Sequence, residues 1–393
     1  MSKTNLLEKI NLSRACTLLR ENKVTSLELV EHCYNLAHFG DNELKLNAYT
    51  YIEKLENLRK QANASDDRIR KGCTLSPLDG IPISIKANMA FKGWPFHASS
   101  KILGCGESPI SENVLISGYD SDIVKLLVRK YGAIMIGQTN MDEFAMGSFG
   151  FHSSQLPTRN PLYTENDDVV AAGGSSSGGA AAVAHGSSLA SIGTDTGGSV
   201  RLPAAWCKVT GLKPTYGLIS RHGVISYASS LDTVGIIAQN PSCASIVLDH
   251  LAHPSMTDST SISNDFSMPH NERLSYSSCA SDSIAGLRIG IAEALSVEEC
   301  PTLVTSDWQQ VADCLELLGA DIVMITNDII KSQTIEHSLA AYYIIACAGK
   351  LILIACFDNV QVVNLLFAMS ITTYRSKQQP YEIRWVKIWD EVS

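Results

Sequence analysis

The 393-residue chain lacks several features that would place it in whole classes of protein. It has no run of eighteen consecutive apolar residues, so a transmembrane helix is not expected. The candidate segment Leu351–Phe357 is far too short to span a bilayer. Residues 1–19 contain no apolar core of a signal peptide, and because Glu8 accompanies Lys3, Lys9 and Arg14 they indicate a mitochondrial presequence only weakly.

A basic excess is also missing, since 31 Lys and Arg stand against 40 Asp and Glu and give a formal charge of −9. Nucleic-acid binders usually present a basic face, so strong phosphate binding by this chain itself is not expected. The eleven cysteines show no Cys-x-x-Cys spacing, which favours reduced thiols over a disulfide framework. With 45% hydrophobic and 18% charged residues, the composition is typical of a large globular domain.

Two nucleotide-binding motifs are absent from the glycine-rich part of the chain. A P-loop places Lys and then Ser or Thr directly after its last glycine, whereas Gly179 is followed by Ala180, and no G-x-G-x-x-G fingerprint opens a βαβ unit. The glycines therefore do not indicate a nucleotide site. The G-x-S-x-G elbow of α/β-hydrolases is also missing around Ser199.

What the chain has instead is a block in which glycines bracket serines. Nine of its 27 glycines lie between Gly173 and Gly211. Seven of the nine fall in the runs 173–179 and 193–201, which the Ala-rich segment 180–190 joins. Serine becomes a nucleophile when a base takes its proton and N–H groups hold the resulting oxyanion. Glycine lets the backbone turn sharply and approach a substrate. The block predicts acyl-transfer chemistry, and its apolar content argues against the alternative of a flexible Ser/Gly linker.

A base for this chemistry is suggested upstream, because no histidine lies in an obvious triad position. In residues 78–86, Ile81, Ile83 and Ile85 alternate with polar or small residues, which predicts a strand that ends at Lys86. Desolvation at the end of an apolar strand lowers the pKa of a lysine and lets it act as a neutral base. A solvated strand end is the alternative interpretation, and the residues alone leave both open.

Taken together, the glycine-serine block and the Leu-x-Gly-x-Pro-x-x-x-Lys setting of Lys86 resemble the amidase signature family. The resemblance implies a Ser-Ser-Lys triad in which Ser199 is the nucleophile, Ser175 the bridging serine on a cis peptide, and Lys86 the base. It implies an oxyanion hole formed by backbone N–H groups at Thr196, Gly197, Gly198 and Ser199. No metal is expected, and ammonia leaves an acyl-enzyme that water then cleaves.

Three positions depart from the family pattern. Ser177 replaces a glycine, and its Cβ would clash if that backbone required a positive φ. Ala87 stands where an acidic residue commonly follows the lysine, and Lys208 stands where a glycine usually follows Cys207. Each change is expected to loosen the site without removing a triad atom.

Within the family, the segments 137–147, 211–221 and 340–346 resemble the A subunits of glutamyl-tRNA(Gln) amidotransferases, in their animal mitochondrial form. The resemblance implies a glutaminase in the mitochondrial matrix that supplies ammonia to the B subunit, with the C subunit completing a heterotrimer. ATP, Mg²⁺ and most tRNA contacts are expected on the B subunit, with no cofactor in this chain. Tyr342 or Tyr343 matches a substrate-pocket tyrosine, although core packing explains at least one of them.

The same resemblance predicts an α/β fold with a mixed, twisted β-sheet covered by helices on both faces. A capping box at Thr25–Glu28 opens one helix, residues 123–131 and 308–318 are predicted as helices, and 133–136, 287–291 and 322–325 as strands. Residues 1–348 form the expected amidase domain, and 349–393 a divergent segment that leaves the fold incomplete at the C-terminus. Two other functions stay open: a free amidase acting on fatty-acid or aryl amides, and a catalytically impaired or scaffolding isoform.

Overall fold

A mixed six-stranded sheet organises the computed structural model, which describes residues 7, 10–105, 113–165, 169–262, 275–278, 284–292 and 302–325. The strand order is β1-β3-β2-β4-β6-β5. These strands are β1 (Tyr49–Ile52), β2 (Pro82–Lys86), β3 (Ile134–Thr139), β4 (Ala190–Asp195), β5 (Thr210–Leu212) and β6 (Thr233–Ala238). The predicted mixed sheet is confirmed.

The centre of this sheet is parallel and its flanks are antiparallel. Strand β2 pairs in parallel with β3 on one side and with β4 on the other. Strand β1 joins β3, and β6 joins both β4 and β5, in antiparallel pairing. Because neighbouring parallel strands run in one direction, the carboxyl ends of β2, β3 and β4 meet at one edge of the sheet.

Both faces of the sheet are covered, as predicted. Every residue of β2, β3, β4 and β6 is buried, and successive side chains on a strand point to opposite faces. The helices are α1 (Leu12–Arg20), α2 (Ser26–Asn42), α3 (Leu55–Arg70), α4 (Asp122–Val124, continued by the π-helical Lys125–Lys130), α5 (Ser177–His185), α6 (Arg201–Trp206), α7 (Pro241–Leu251) and α8 (Thr302–Leu317). Short 3₁₀ turns form at Lys101–Leu103 and Glu143–Ala145.

The predicted capping box is present at the start of α2. The Glu28 backbone N–H donates to the Thr25 hydroxyl at 3.1 Å, and the Thr25 N–H donates to the Glu28 carboxylate at 2.9 Å. Leu29, Val30 and Cys33 are fully buried on this helix. The reciprocal cap therefore fixes where an amphipathic helix begins against the sheet.

The helix predicted at 123–131 differs from expectation, because most of it is π-helical. The Tyr131 N–H donates to the Leu126 carbonyl, five residues earlier, so the last turn is wider than an α-turn. The strand predicted at 133–136 is Ile134–Thr139. The three later elements are confirmed as β7 (Arg288–Ala292), α8 and β8 (Asp321–Ile325), with β7 and β8 paired in parallel as a separate two-stranded sheet.

Two further points concern features expected to be missing. In the described ranges, no helix is long and apolar enough to cross a membrane. No disulfide joins the cysteines in the same ranges. The segment 349–393, expected to diverge, lies outside the described residues.

Candidate active site

Lys86 ends the central strand β2 and is completely buried. The alternation of its strand predicted one buried face, yet Pro82 and Ser84 are buried as well because the sheet is covered on both sides. The interpretation of Lys86 as a solvated strand end is therefore wrong. Its ammonium group is held inside the protein, where charge is costly unless polar groups surround it.

The Lys86 side chain is surrounded by hydroxyl groups. Its Nζ donates to Ser175 Oγ at 2.7 Å, to Ser176 Oγ at 2.9 Å and to Thr194 Oγ1 at 3.0 Å, with the Thr194 carbonyl at 3.4 Å. Burial lowers the pKa of Lys86 from 10.5 to about 7, against the opposing charges of Asp142, Asp195 and Asp232. A substantial fraction of Lys86 is therefore neutral at physiological pH.

Ser175 lies just before α5, where the chain takes an unusual backbone form. The Gly174–Ser175 peptide bond is cis, as the family resemblance implied. Close packing surrounds the following turn: a Cβ added to Gly178 would lie 2.2 Å from the Ala48 carbonyl oxygen. The serine that bonds to Lys86 is thus held by backbone packed on both sides.

Ser199 lies in a turn that the carboxylate of Asp195 organises. Asp195 accepts hydrogen bonds from the backbone N–H of Gly198 at 2.8 Å and of Val200 at 3.1 Å. It also pairs with Arg201, at 3.0 Å from Nε and 2.9 Å from Nη2. Although burial alone raises it, the Arg201 guanidinium and the backbone donors lower the pKa of Asp195 below its ordinary value. An ionised Asp195 therefore anchors the turn.

The backbone of this turn also bonds directly to the Ser175 segment. The Ser199 carbonyl accepts the Ser176 N–H at 3.1 Å, which brings the two predicted catalytic serines onto adjacent backbone. Ser199 is 8% exposed. Its hydroxyl makes no hydrogen bond to another residue of the described ranges. The structure thus joins Lys86 to Ser175 by a side-chain bond, and joins Ser176, the residue after Ser175, to Ser199 by a main-chain bond.

The predicted oxyanion hole is only partly available in this arrangement. The Gly198 N–H is already donated to Asp195, and the Thr196 hydroxyl donates to Asp232 at 2.6 Å. In the described part of the chain, the backbone N–H groups of Thr196, Gly197 and Ser199 have no protein acceptor. Those three groups are the donors that a developing oxyanion could use, and this role stays a prediction.

Most of the chain is similar to proteins of one family. The model of the Amidase family matches residues 28–381. The chain belongs to the amidase family. It is 39% identical over 344 residues to the A subunit of a glutamyl-tRNA(Gln) amidotransferase from Prochlorococcus marinus, covering 87% of this chain and 65% of the relative. It is 37% identical over 322 residues to a mitochondrial A subunit from Ajellomyces capsulatus, covering 80% of this chain and 58% of the relative.

A solved structure shows the same fold. The A subunit of glutamyl-tRNA(Gln) amidotransferase from Thermotoga maritima aligns with a TM-score of 0.68 and 27% identity, covering 94% of this chain and 71% of that one. The chain spans less than two thirds of the length of the two amidotransferase relatives given above.

The departures of this amidase from the family pattern have different outcomes. Ser177 is helical rather than at positive φ, and its hydroxyl bonds to Thr158 Oγ1 at 3.0 Å, so the expected clash does not occur. Lys208 has a φ of 55°, the left-handed region that favours glycine, so a strained residue follows Cys207. Ala87 is fully buried.

Sequence reasoning missed polar groups that lie around the predicted triad residues. Three of them have a signal in the segments that carried the resemblance: Thr194 and Asp195 directly precede the 196–199 turn, and Asp142 lies within 137–147. Asp232 lies outside those segments, and only the fold shows that it bonds to Thr196.

Two histidines near the glycine-serine block make ring contacts with aromatic residues. His185, at the end of α5, stacks near Phe39 with ring centroids 6.3 Å apart, and His222 packs near Tyr119 at 5.8 Å. Tyr342 and Tyr343, predicted to bind substrate, lie outside the described residues.

Proposed function

We propose that this amidase is the glutamine-hydrolysing A subunit of a mitochondrial glutamyl-tRNA(Gln) amidotransferase. The observation that carries the proposal is the buried bond from Lys86 Nζ to Ser175 Oγ, beside the turn that holds Ser199. Relatives named as A subunits, one of them mitochondrial, support this branch and this compartment.

The environment of Lys86 suits a group that exchanges a proton. A charged ammonium donates three hydrogen bonds, whereas a neutral amine donates two and offers one lone pair. Three of its neighbours are the hydroxyls of Ser175, Ser176 and Thr194, each of which can donate or accept. The same geometry therefore serves both protonation states, with the lone pair of neutral Lys86 accepting the Ser175 proton.

The relay then activates the nucleophile. Ser175 passes its proton to Lys86 and takes one from Ser199, whose Oγ attacks the carboxamide carbon of glutamine and forms a C–O bond. The negative charge that develops on the carbonyl oxygen is held by the free backbone N–H groups of Thr196, Gly197 and Ser199. The proton returns through Ser175 to the leaving nitrogen as the C–N bond breaks.

Ammonia leaves and a glutamyl ester remains on Ser199. Water then attacks this ester and gives a proton to the same relay, which returns a proton to Ser199 Oγ as the ester C–O bond breaks and glutamate is released. No redox step is involved.

The partners follow from the same proposal. Ammonia passes to the B subunit, which with ATP and Mg²⁺ converts Glu-tRNA(Gln) to Gln-tRNA(Gln), and the C subunit completes the heterotrimer. The formal charge of −9 supports placing the tRNA mainly on the B subunit. Tyr342 or Tyr343 is proposed to contact glutamine.

The test is to express this chain with the B and C subunits, and to measure glutamate released from glutamine with and without ATP and Glu-tRNA(Gln). Ser199→Ala should abolish release, whereas Ser242→Ala, an exposed serine on α7, should leave it unchanged. Hydrolysis of aryl or fatty-acid amides by the chain alone, with none of glutamine, would favour a free amidase. A folded complex that hydrolyses no amide would favour a scaffolding isoform.

A further inference from the structure

Asp142 is a fully buried carboxylate beside the predicted triad, on the segment that follows β3. Its Oδ2 accepts the Gly150 N–H at 3.1 Å and its Oδ1 accepts the His152 N–H at 2.9 Å. Its own N–H donates to the Ser175 carbonyl at 3.2 Å. One residue thus bonds both to the loop 147–152 and to the backbone of the bridging serine.

The backbone at Gly174 and Gly147 packs closely against the Asp142 carboxylate. A Cβ added to Gly174 would lie 1.9 Å from Asp142 Oδ2, and a Cβ added to Gly147 would lie 2.3 Å from Asp142 Cγ. The carboxylate therefore packs directly against the peptide that carries Ser175. Its displacement would move that peptide as well.

Asp142 and Asp195 differ in how their charges are balanced. Asp195 forms an ion pair with Arg201, and Asp232 accepts bonds from neutral hydroxyl and backbone donors. In the described ranges, no cation lies within ion-pairing distance of Asp142. Lys86 is the only lysine or arginine among the buried residues of those ranges.

Burial raises the pKa of Asp142, whereas the backbone N–H groups of His152 and Gly150, and the charges of His152 and Lys86, act in the opposite direction. Both oxygens of Asp142 accept a backbone N–H, an arrangement that favours the ionised carboxylate. The charged groups that face Lys86 are thus Asp142 after β3, Asp195 with Arg201 at the end of β4, and Asp232 before β6. His152 is the other titratable group that faces Asp142. Of these three carboxylate residues, Asp142 is the one that bonds to the Ser175 backbone and also forms no ion pair in the described ranges.

We propose that Asp142 is a positioning residue for the Lys86–Ser175 pair: it fixes the Ser175 backbone and supplies the negative charge against which Lys86 exchanges its proton. The mechanistic meaning of this inference rests on the proposed function, because it concerns the base of that reaction. The charge effect on Lys86 can be measured whether or not glutamine is the substrate.

The decisive measurement is the titration of Lys86 in the full chain labelled with ¹³C at lysine Cε, followed by NMR from pH 5.5 to 9. Lys86→Met identifies the resonance by its disappearance. Asp142→Asn should move the Lys86 midpoint to lower pH by about one unit, because an opposite charge nearby favours the ammonium form. Asp142→Glu, which keeps the charge, should leave the midpoint within about 0.3 units while lowering the rate of amide hydrolysis.

Two further variants keep the test decisive. Asp142→Ser removes the charge with a smaller side chain that lets water bond to the Gly150 and His152 N–H groups, so it replaces Asp142→Asn if the asparagine variant does not fold. Asp122→Asn is the matched control, since Asp122 also accepts several side-chain donors but is absent from the charges that act on Lys86. It should leave the Lys86 midpoint unchanged.

An unchanged Lys86 midpoint in both uncharged Asp142 variants would overturn the inference, and so would an equal shift in Asp122→Asn. If the wild-type complex with the B and C subunits hydrolyses glutamine but the uncharged Asp142 variants leave the Lys86 midpoint unchanged, only the role of Asp142 is refuted. If those variants shift the midpoint but the wild-type complex hydrolyses no glutamine, the charge coupling stands and the proposed function is refuted.

Discussion

Replacing Lys86 with methionine should change how folding stability depends on pH. Burial lowers the pKa of Lys86 to about 7, so the folded chain releases a proton above pH 7 that the unfolded chain keeps to about pH 10.5. Stability rises with pH wherever the unfolded state binds more protons. Lys86 therefore destabilises the fold fully below pH 7, and this cost declines from pH 7 upward. The full slope is about 1.36 kcal/mol per pH unit, but Lys86 is half titrated at pH 7, so the change from pH 7 to pH 9 is about 2.3 kcal/mol.

Urea unfolding of wild type and Lys86→Met at pH 7, 8 and 9 measures this change. The free energy of unfolding of wild type minus that of the variant should rise by about 2.3 kcal/mol across the series. Lys125→Met, which alters an exposed lysine paired with Asp122, should give a difference that stays constant within about 0.5 kcal/mol. A flat or falling difference for Lys86→Met would show that Lys86 keeps its charge in the folded protein, and would refute the neutral base.

Three other predictions concern the triad and a strained residue. Alanine at Ser199, Ser175 or Lys86 should each remove most glutamine hydrolysis by the complex, and double variants should be little worse than single ones because one relay links the three; additive losses would contradict a relay. The kcat/KM of wild type should fall about tenfold per pH unit below the Lys86 pKa of about 7, and a profile that is level from pH 5.5 to 9 would contradict a lysine base. Lys208→Gly should raise the free energy of unfolding by about 0.5–1 kcal/mol in urea, since glycine relieves the left-handed backbone, while Lys208→Ala should be neutral.

The sequence predicts those elements of the fold that depend on residues only a few positions apart. The cap at Thr25 and Glu28 needs only residues three apart, and the strand before Lys86 follows from alternating isoleucines. Local patterns could not predict that both faces of β2, and with them Lys86, are buried, because this depends on which helices cover the strand. The π-helical turn at Lys125–Lys130 has no distinctive local pattern either.

The candidate site shows the same division. The family resemblance predicts Lys86, Ser175 and Ser199 as a triad, because their spacing along the chain matches a family in which these three residues lie close together. Asp142 acts across loops by donating its backbone N–H to the Ser175 carbonyl, and Asp232 by accepting the Thr196 hydroxyl at its carboxylate. Such contacts exist only once the sheet has brought the loops together. The resembling segment 137–147 therefore points to Asp142 without showing its contact, and no local pattern points to Asp232.

The crowding around the glycine-serine block has a consequence for how this amidase can acquire new substrates. A Cβ on Gly178 would collide with the Ala48 carbonyl, and one on Gly193 would lie 2.7 Å from Ser176 Oγ. Substitutions at these glycines are therefore expected to disturb the backbone around Ser175 and Ser199. Directed evolution should leave 173–199 and the Asp142-binding loop 147–152 untouched, and should randomise exposed positions such as Leu156. A new substrate range is therefore expected to come from positions outside the block.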